Sequence, residues 1–202
     1  MRRVSRGWIG IGCKFNNLLL TLEHKTTCPT LRAFALCHQP TMDRITQLIH
    51  AAYAPHAALG LRYWGTHQSA ADTAKRFASG HGLVAELEGE YVGTITVRPP
   101  QPDSPLTLYR DPYTWSIIQF AVAPKLKGLG LGKSLHNAAL AHAQAKGCKQ
   151  MVLDTAAPAT ALIAMYRSWG YQVVGHHSWQ PHTNYTSVVM CQALGVLIHN
   201  VP

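Results

Sequence analysis

Apolar residues recur along this chain with two different periods. After Thr41 they repeat at three- and four-residue steps, which predicts a helix with one buried face. The members of that face are Met42, Ile45, Leu48, Ile49 and Ala52. Thr41 is positioned to cap this helix, and Ser69 is positioned to cap a second helix over residues 70–79. Residues 55–68, between the two helices, are expected to form an aromatic-rich loop.

Short apolar runs bounded by turn residues predict strands in the rest of the chain. These runs cover residues 31–37, 81–87, 91–97, 114–124, 150–155, 171–177 and 185–194. Glu88-Gly89-Glu90 predicts the turn of a hairpin, and the proline-rich residues 98–113 predict a long surface loop. Further helices are predicted over residues 133–146 and 158–168. Strands that alternate with helices and end as paired strands indicate an α/β fold with a mixed sheet.

The chain is long enough, at 202 residues, for one domain with a sizeable core. Residues 31–202 are expected to form that domain. Residues 1–30 are expected to be an N-terminal extension outside its core, because their start is rich in arginine and their apolar runs are broken. An organelle transit peptide and a non-native upstream start both remain open for this extension. No run of about 18 apolar residues occurs, so no membrane-spanning segment is expected.

Composition adds one feature to this picture, the charge. Hydrophobic residues make up 47% of the chain and charged residues 13%, as in a well-buried globular protein. The formal net charge of +9 favours an anionic ligand such as a phosphorylated cofactor, and a basic protein without a charged partner is the alternative. Lysine and arginine form no dense stripe with interleaved aromatic residues, so we expect no nucleic-acid partner.

The five cysteines are widely spaced, and no two of them form a C-x-x-C pair. This pattern indicates a reducing compartment, which we take to be the cytoplasm. It argues against both a disulfide framework and a zinc site. His176, His177 and His182 form the only tight histidine cluster, and no nearby acid supports it, so we expect no metal.

A glycine-rich stretch, PKLKGLGLGKS, covers residues 124–134 between a predicted strand and a predicted helix. A Walker A loop would need a glycine in place of Lys127, and a dinucleotide-binding fingerprint would need one in place of Lys133, so both familiar phosphate patterns fail. The first N–H groups of a helix lack internal partners, and alternating glycines let such groups converge on an anion. A tight turn that uses glycine for its geometry alone is the alternative.

Taken with the second half of the chain, this loop resembles the GNAT superfamily of N-acetyltransferases. The family pattern is V-x-P-x-x-basic-G-x-G-x-G/A, a helix, a strand, and a helix whose tyrosine lies a few residues before Gly-Tyr/Phe. The matching positions are Val122, Pro124, Lys127, Gly128, Gly130, Gly132, Tyr166, Gly170 and Tyr171. The order of elements from residue 31 to about 194 also agrees. The resemblance implies an α/β fold with a mixed, mostly antiparallel central sheet flanked by helices.

The resemblance also implies that acetyl-CoA is the cosubstrate. The backbone of Phe120, Ala121 and Val122 would pair with pantetheine as it would with an added strand. The pyrophosphate would lie in the loop formed by Lys127, Gly128, Leu129, Gly130, Leu131, Gly132 and Lys133. Ala159 departs from the pattern, because many relatives carry there an asparagine that contacts the cofactor.

The activity implied by the resemblance is the transfer of an acetyl group from acetyl-CoA to an amine. Tyr166 matches the tyrosine that protonates the departing thiolate, with packing at a helix end as its alternative role. Gln119 lies on the strand where many members carry a glutamate as general base, and it cannot take a proton. His81, His177, His182 and a chain of waters remain candidates for that base. A binding module that holds CoA or acyl-CoA without turnover is therefore the alternative function.

By the same resemblance, the acceptor would enter between the loop after the first helix and the last hairpin. The residues expected to contact it are Tyr63, Trp64, Gln119, Trp179, His182 and Tyr185. This wall is aromatic and poor in acids, which disfavours polyamines and aminoglycosides. A small monoamine, an amino acid and a peptide N-terminus remain open as acceptors. Core packing or contacts within a homodimer are the alternative role of the aromatic residues.

Overall fold

The structure is a computed structural model that describes residues 30–34 and 39–195. Apart from Thr30, the expected N-terminal extension lies outside the described residues. The strands are β1 (Thr30–Phe34), β2 (His81–Leu87), β3 (Glu90–Arg98), β4 (Thr114–Val122), β5 (Gln150–Ala156), β6 (Gln172–Ser178) and β7 (Thr186–Ala193). The α-helices are α1 (Gln39–Ala58), α2 (Ala70–Ala78), α3 (Thr107–Arg110), α4 (Leu131–Ala145) and α5 (Thr160–Ser168).

The described strands form one seven-stranded sheet in the order β1-β2-β3-β4-β5-β7-β6. Neighbouring strands are antiparallel except for β4 and β5, which are parallel. The expected mixed, mostly antiparallel sheet is therefore confirmed. No helix in the described part of the chain is long and apolar enough to cross a bilayer.

Helices cover both faces of the sheet because successive strand residues point to opposite sides. On one face, α1 and α2 pack Met42, Ile45, Ile49, Ala52 and Phe77 against Val84 and Ala121. On the other face, Leu135, Ala139 and Ala143 of α4 pack together with α5. They contact the side chains of β2 and β3 that point away from α1 and α2. Ser69 caps α2 as expected: its Oγ accepts from Asp72 N at 3.0 Å, and Asp72 Oδ2 accepts from Ser69 N at 2.9 Å.

Two local predictions are wrong. Thr41 does not cap α1, because the helix begins at Gln39 and Thr41 lies inside it. The loop expected over residues 55–68 is shorter than predicted, since α1 continues through Pro55 to Ala58. A proline removes the bond to the carbonyl four residues earlier. That carbonyl belongs to Ala51, which is exposed, so water can satisfy it.

One feature of the sheet positions the site. The parallel strands β4 and β5 pair only where they begin, over Thr114–Ser116 and Gln150–Val152. Beyond this point β5 pairs with β7 alone, and β4 pairs with β3 across an irregularity opposite Thr94–Thr96. The carboxyl ends of the two strands therefore separate and leave a cleft within the sheet.

Candidate functional site

The cleft exposes backbone groups of β4. Ala123 N–H donates to Val92 O on β3 at 2.8 Å. Because backbone groups alternate in direction along a strand, those of Phe120 and Val122 point away from β3 and toward the cleft. Phe120 O accepts from the Tyr53 hydroxyl at 3.2 Å. The remaining groups of this edge are positioned to pair with an extended ligand.

The glycine loop lies directly after β4 and turns the chain into α4. Gly128 and Gly130 have φ of 81° and 85°, a left-handed conformation that favours glycine. A Cβ at either position would meet no atom within 4 Å, so the space beside the loop is open. Gly132 differs, since its φ is not positive and a Cβ there would lie 3.5 Å from the Phe120 ring.

The backbone of this loop presents unpaired hydrogen-bond donors. The first backbone bond into α4 runs from Ser134 N to Gly130 O at 3.0 Å. The preceding N–H groups have no acceptor among the described residues; they belong to Gly128, Gly130, Leu131, Gly132 and Lys133. The positive end of the α4 dipole adds to their attraction for an anion. The loop therefore has the chemistry of a phosphate-binding site.

The two lysines of the loop have different surroundings. Lys127 Nζ donates to Ala52 O at 3.1 Å and ties the loop to α1. Lys133 Nζ lies 4.8 Å from the centre of the Trp169 ring. Partial burial lowers the pKa of Lys133 from its ordinary value. Lys133 thus extends from the first turn of α4 over an aromatic face.

A cavity of about 500 Å³ adjoins the cleft. It is lined by every residue that the sequence predicted for the acceptor: Tyr63, Trp64, Gln119, Trp179, His182 and Tyr185. Tyr166 and Phe120 also line it. The structure therefore brings together residues from α5, β4 and the loops after α1 and β6, at the open ends of β4 and β5.

Tyr166 is 8% exposed, and its hydroxyl has no hydrogen-bond partner among the described residues. Its ring packs edge-on against Trp169 and Tyr171 at 5.7 and 5.8 Å. Burial raises the pKa of Tyr166 well above its ordinary value of 10.0. The hydroxyl thus remains protonated at neutral pH and can donate a proton into the cavity.

Gln119 has an unusual backbone and a fixed side chain. Its φ is 51°, where β4 departs from regular pairing with β3. Its Nε2 donates to Thr73 O at 3.3 Å, and its Oε1 accepts from Gln68 Nε2 at 2.7 Å. A strained conformation that a buried network holds in place is common at functional sites. Gln119 shapes the cavity wall and takes no proton there.

Only one of the three histidines considered as a base lines the cavity. That residue is His182, whose ring lies 4.8 Å from the ring of Trp64. His177 packs on Trp179 at 4.3 Å outside the set of lining residues. His81 stacks on His142 at 3.7 Å, at the start of β2 and away from the cavity.

Sequence reasoning missed four charged residues that line the cavity, Arg76, Arg98, Asp103 and Asp154. Asp154 Oδ2 accepts from Trp179 Nε1 at 3.0 Å, and Oδ1 accepts from the Tyr109 hydroxyl at 3.4 Å. Asp154 could have been found from the sequence, because it is an acidic residue within the apolar run of β5. The arginines gave no such signal, because each lies at the end of an ordinary helix or strand.

Comparisons with known proteins agree with this geometry. The model of the acetyltransferase (GNAT) family matches residues 43–171. N-acetyltransferase family 8 member 3 of Mus musculus is 30% identical over 112 residues, which are 54% of this chain and 47% of the mouse protein. This chain thus matches about half the length of that relative. S-alkylcysteine N-acetyltransferase of Bacillus subtilis is 27% identical over 148 residues, 69% of this chain and 78% of the relative.

Solved structures show the same fold at low sequence identity. A GNAT family acetyltransferase from Elizabethkingia anophelis, solved with acetyl-CoA bound, superposes with a TM-score of 0.57. The match covers 84% of this chain and 100% of the other, at 16% identity.

Proposed function

The chain belongs to the acetyltransferase (GNAT) family, and from this premise we propose that it transfers the acetyl group of acetyl-CoA to the amine of a small molecule, an amino acid or a peptide N-terminus. The observation that carries the proposal is the placement of Tyr166. Its protonated hydroxyl lines a cavity that also includes Phe120 at the open edge of β4, the strand that leads directly into the glycine loop.

The residues present fit CoA. The unpaired N–H groups of Gly128 and of residues 130–133 would bind the pyrophosphate, and the open space beside Gly128 and Gly130 lets phosphates approach them. The cleft-facing backbone of Phe120 and Val122 would pair with pantetheine. Acetyl-CoA supplies an activated acetyl thioester when it is bound there.

Tyr166 would act as the acid. Its raised pKa keeps the hydroxyl protonated, which excludes it as the base. The O–H would donate a hydrogen bond to the departing sulfur, and transfer its proton as negative charge develops there. The buried ring contacts with Trp169 and Tyr171 hold the hydroxyl in a fixed direction. Backbone N–H groups on the 120–122 edge would polarise the thioester carbonyl.

Three cavity side chains can accept the proton that the acceptor amine loses: His182, Asp154 and Asp103, of which Asp103 lies exposed in the loop between β3 and α3. Asp154 already accepts hydrogen bonds from Trp179 and Tyr109, which occupy both of its carboxylate oxygens. His182 has no such partner and lies against Trp64. We therefore assign the base to His182, and Asp154 to attraction of the ammonium form of the acceptor.

A thiol-release assay tests the proposal, with acetyl-CoA and a broad panel of primary amines. We expect release of CoA with at least one amine and none without an amine. A rise in melting temperature with acetyl-CoA, together with no thiol release across the panel, would instead identify a non-catalytic CoA-binding module. His182→Asn should lower turnover by roughly 10²- to 10⁴-fold, the range expected for loss of a positioned base, and unchanged turnover would remove His182 from that role.

A further inference from the structure

Two guanidinium groups face the cavity, and neither forms an ion pair with a described carboxylate. Arg76 comes from α2 and Arg98 from the end of β3, and both line the cavity. Neither donates a hydrogen bond to a described residue, and the Nε atom of each is buried without a partner. Arg44, by contrast, forms an ion pair with Glu90 at 3.0 Å elsewhere on the surface.

Such an arrangement is unfavourable in the free protein. A buried charge without a partner is costly, and two like charges repel each other. Burial lowers the pKa of Arg76 to about 10, and the charge of Arg98 adds to the effect. Burial also lowers the pKa of Arg98. Both groups nonetheless remain charged at neutral pH, so their unpaired donors are available to an anion that enters the cavity.

The carboxylates that line the cavity leave the guanidinium donors of both arginines unbonded. The charge of Asp154 acts on both arginines, but its two oxygens accept hydrogen bonds from Trp179 and Tyr109. Asp103 lies exposed in the loop between β3 and α3 and forms no ion pair with a described residue. The guanidinium of Arg76 lies 5.7 Å from the centre of the Trp64 ring, which restricts its orientation. A planar carboxylate matches two such forked donors.

We propose that the acceptor carries a carboxylate in addition to its amine, and that Arg76 and Arg98 bind this carboxylate. The inference rests on the acetyltransferase function proposed above and narrows its acceptor to amino acids. Asp154 supplies the opposite charge that draws in the ammonium end. The aromatic walls formed by Trp64, Trp179 and Tyr185 then favour amino acids with an apolar side chain.

The test compares free amino acids with their α-amides, which keep the side chain and the amine but lack the carboxylate. Suitable pairs are phenylalanine, leucine and methionine with their amides. We expect kcat/KM to be about ten-fold or more higher for the free acids, because charged hydrogen bonds are lost with the amide. The amine of an amide is less basic, so the comparison is made across a pH range. Equal or higher kcat/KM for the amides throughout would overturn the inference.

Variants of the two arginines test whether these residues cause the preference for free amino acids over their amides. Arg76→Gln and Arg98→Gln should each lower kcat/KM for the free acids about 10- to 100-fold, mainly through KM, and change the value for the amides by less than about two-fold. Arg167→Gln, which removes an exposed guanidinium on α5, is the matched control and should keep the preference. Equal losses for acid and amide in both cavity variants would contradict carboxylate binding.

A binding measurement avoids turnover. By calorimetry, N-acetylphenylalanine should bind the wild-type protein more tightly than N-acetylphenylalaninamide, and this difference should disappear in Arg98→Gln. The ligand-free arginine variants should melt no lower than the wild type, because each loses an unpaired buried charge. Marked destabilisation of both variants without selective loss of acid binding would show that the arginines hold the fold. Absence of acetylation with every amine would refute the proposed function, whereas acetylation without acid preference would refute this inference alone.

Discussion

At the scale of single residues, the proposed chemistry depends on the hydroxyl of Tyr166. Tyr166→Phe keeps the ring and its contacts with Trp169 and Tyr171, and removes only the O–H. Turnover should fall by roughly ten- to a thousand-fold, the range expected for a positioned proton donor. The affinity for acetyl-CoA should change little. Single-turnover measurements, in which chemistry limits the rate, provide the check.

Tyr171→Phe is the matched control for that variant. Tyr171 is also buried, and its hydroxyl bonds to His136 Nε2 at 2.9 Å outside the cavity. Its loss should leave the rate of the chemical step nearly unchanged. If Tyr166→Phe reacts at the rate of this control, Tyr166 is a packing residue and not the acid.

His136 gives a prediction for stability against pH. The side chain is fully buried in α4, and burial lowers its pKa from 6.5 to about 4. The unfolded chain therefore binds a proton at this residue before the folded chain does. The free energy of unfolding should fall as the pH decreases from about 6.5 to about 4, and be regained on return to neutral pH.

Denaturant titrations across that pH range measure the effect. His136→Gln should reduce the slope of stability against pH, because the titrating group is gone. His176→Gln, an exposed change on β6, serves as the control. An identical slope in the wild type and in His136→Gln would show that His136 does not carry this dependence.

At the scale of elements, the glycine loop is predicted to bind the cofactor. Gly130→Val introduces a side chain at φ of 85° and into the space from which phosphates approach. We expect acetyl-CoA to raise the melting temperature of the wild type, since a ligand at about 100 times its Kd stabilises by roughly 2.7 kcal/mol. The rise should be absent in Gly130→Val.

Backbone strain alone would also lower the melting temperature of this variant. A second glycine with a similar φ, distant from the proposed cofactor site, therefore serves as the control. Gly147 follows α4 with φ of 86°, and a Cβ there also meets no atom within 4 Å. Gly147→Val should suffer a similar strain of about 1–2 kcal/mol and still respond fully to acetyl-CoA. A full response in both variants would place the cofactor away from the loop.

Sequence and structure agree best where local periodicity and burial coincide. The hairpin of β2 and β3 and the capping box of α2 follow from alternation and from Ser69, both of which are local signals. The continuation of α1 through Pro55 was missed, because the proline removes only one backbone bond, and the carbonyl that loses it, Ala51 O, is exposed to water. Rules based on helix propensity count only the cost of placing a proline in the helix.

The site was predictable in part for a related reason. The glycine loop and Tyr166 belong to a contiguous motif, so their resemblance to a family identified them. Arg76, Arg98 and Asp154 come from three elements far apart in sequence and meet only in the folded cavity. No spacing rule in the sequence connects these residues. Only the folded structure shows that they line one cavity and that the two arginines have unpaired donors there.

At the scale of the whole molecule, we expect the N-terminal extension to be dispensable. A chain that begins at Cys28 retains all of β1, whose residues Thr30–Phe34 pair with Gly82–Glu86 of β2. It should keep the melting temperature and the acetyl-CoA response of the full chain. Removal through Phe34 should be destabilising, because it uncovers the edge of β2. Insolubility or loss of binding in the chain that begins at Cys28 would contradict this prediction.

The separation of β4 from β5 has a consequence for the tendency of the ligand-free protein to aggregate. The cleft leaves unsatisfied backbone groups near Phe120 and Val122, a template on which strands of other molecules can aggregate. Bound acetyl-CoA would occupy that template as a surrogate strand. The concentration of acetyl-CoA in the cell would then affect the resistance of the protein to heat and to proteolysis. Amide hydrogen exchange at these positions, and light scattering on heating, should both decrease when acetyl-CoA is added.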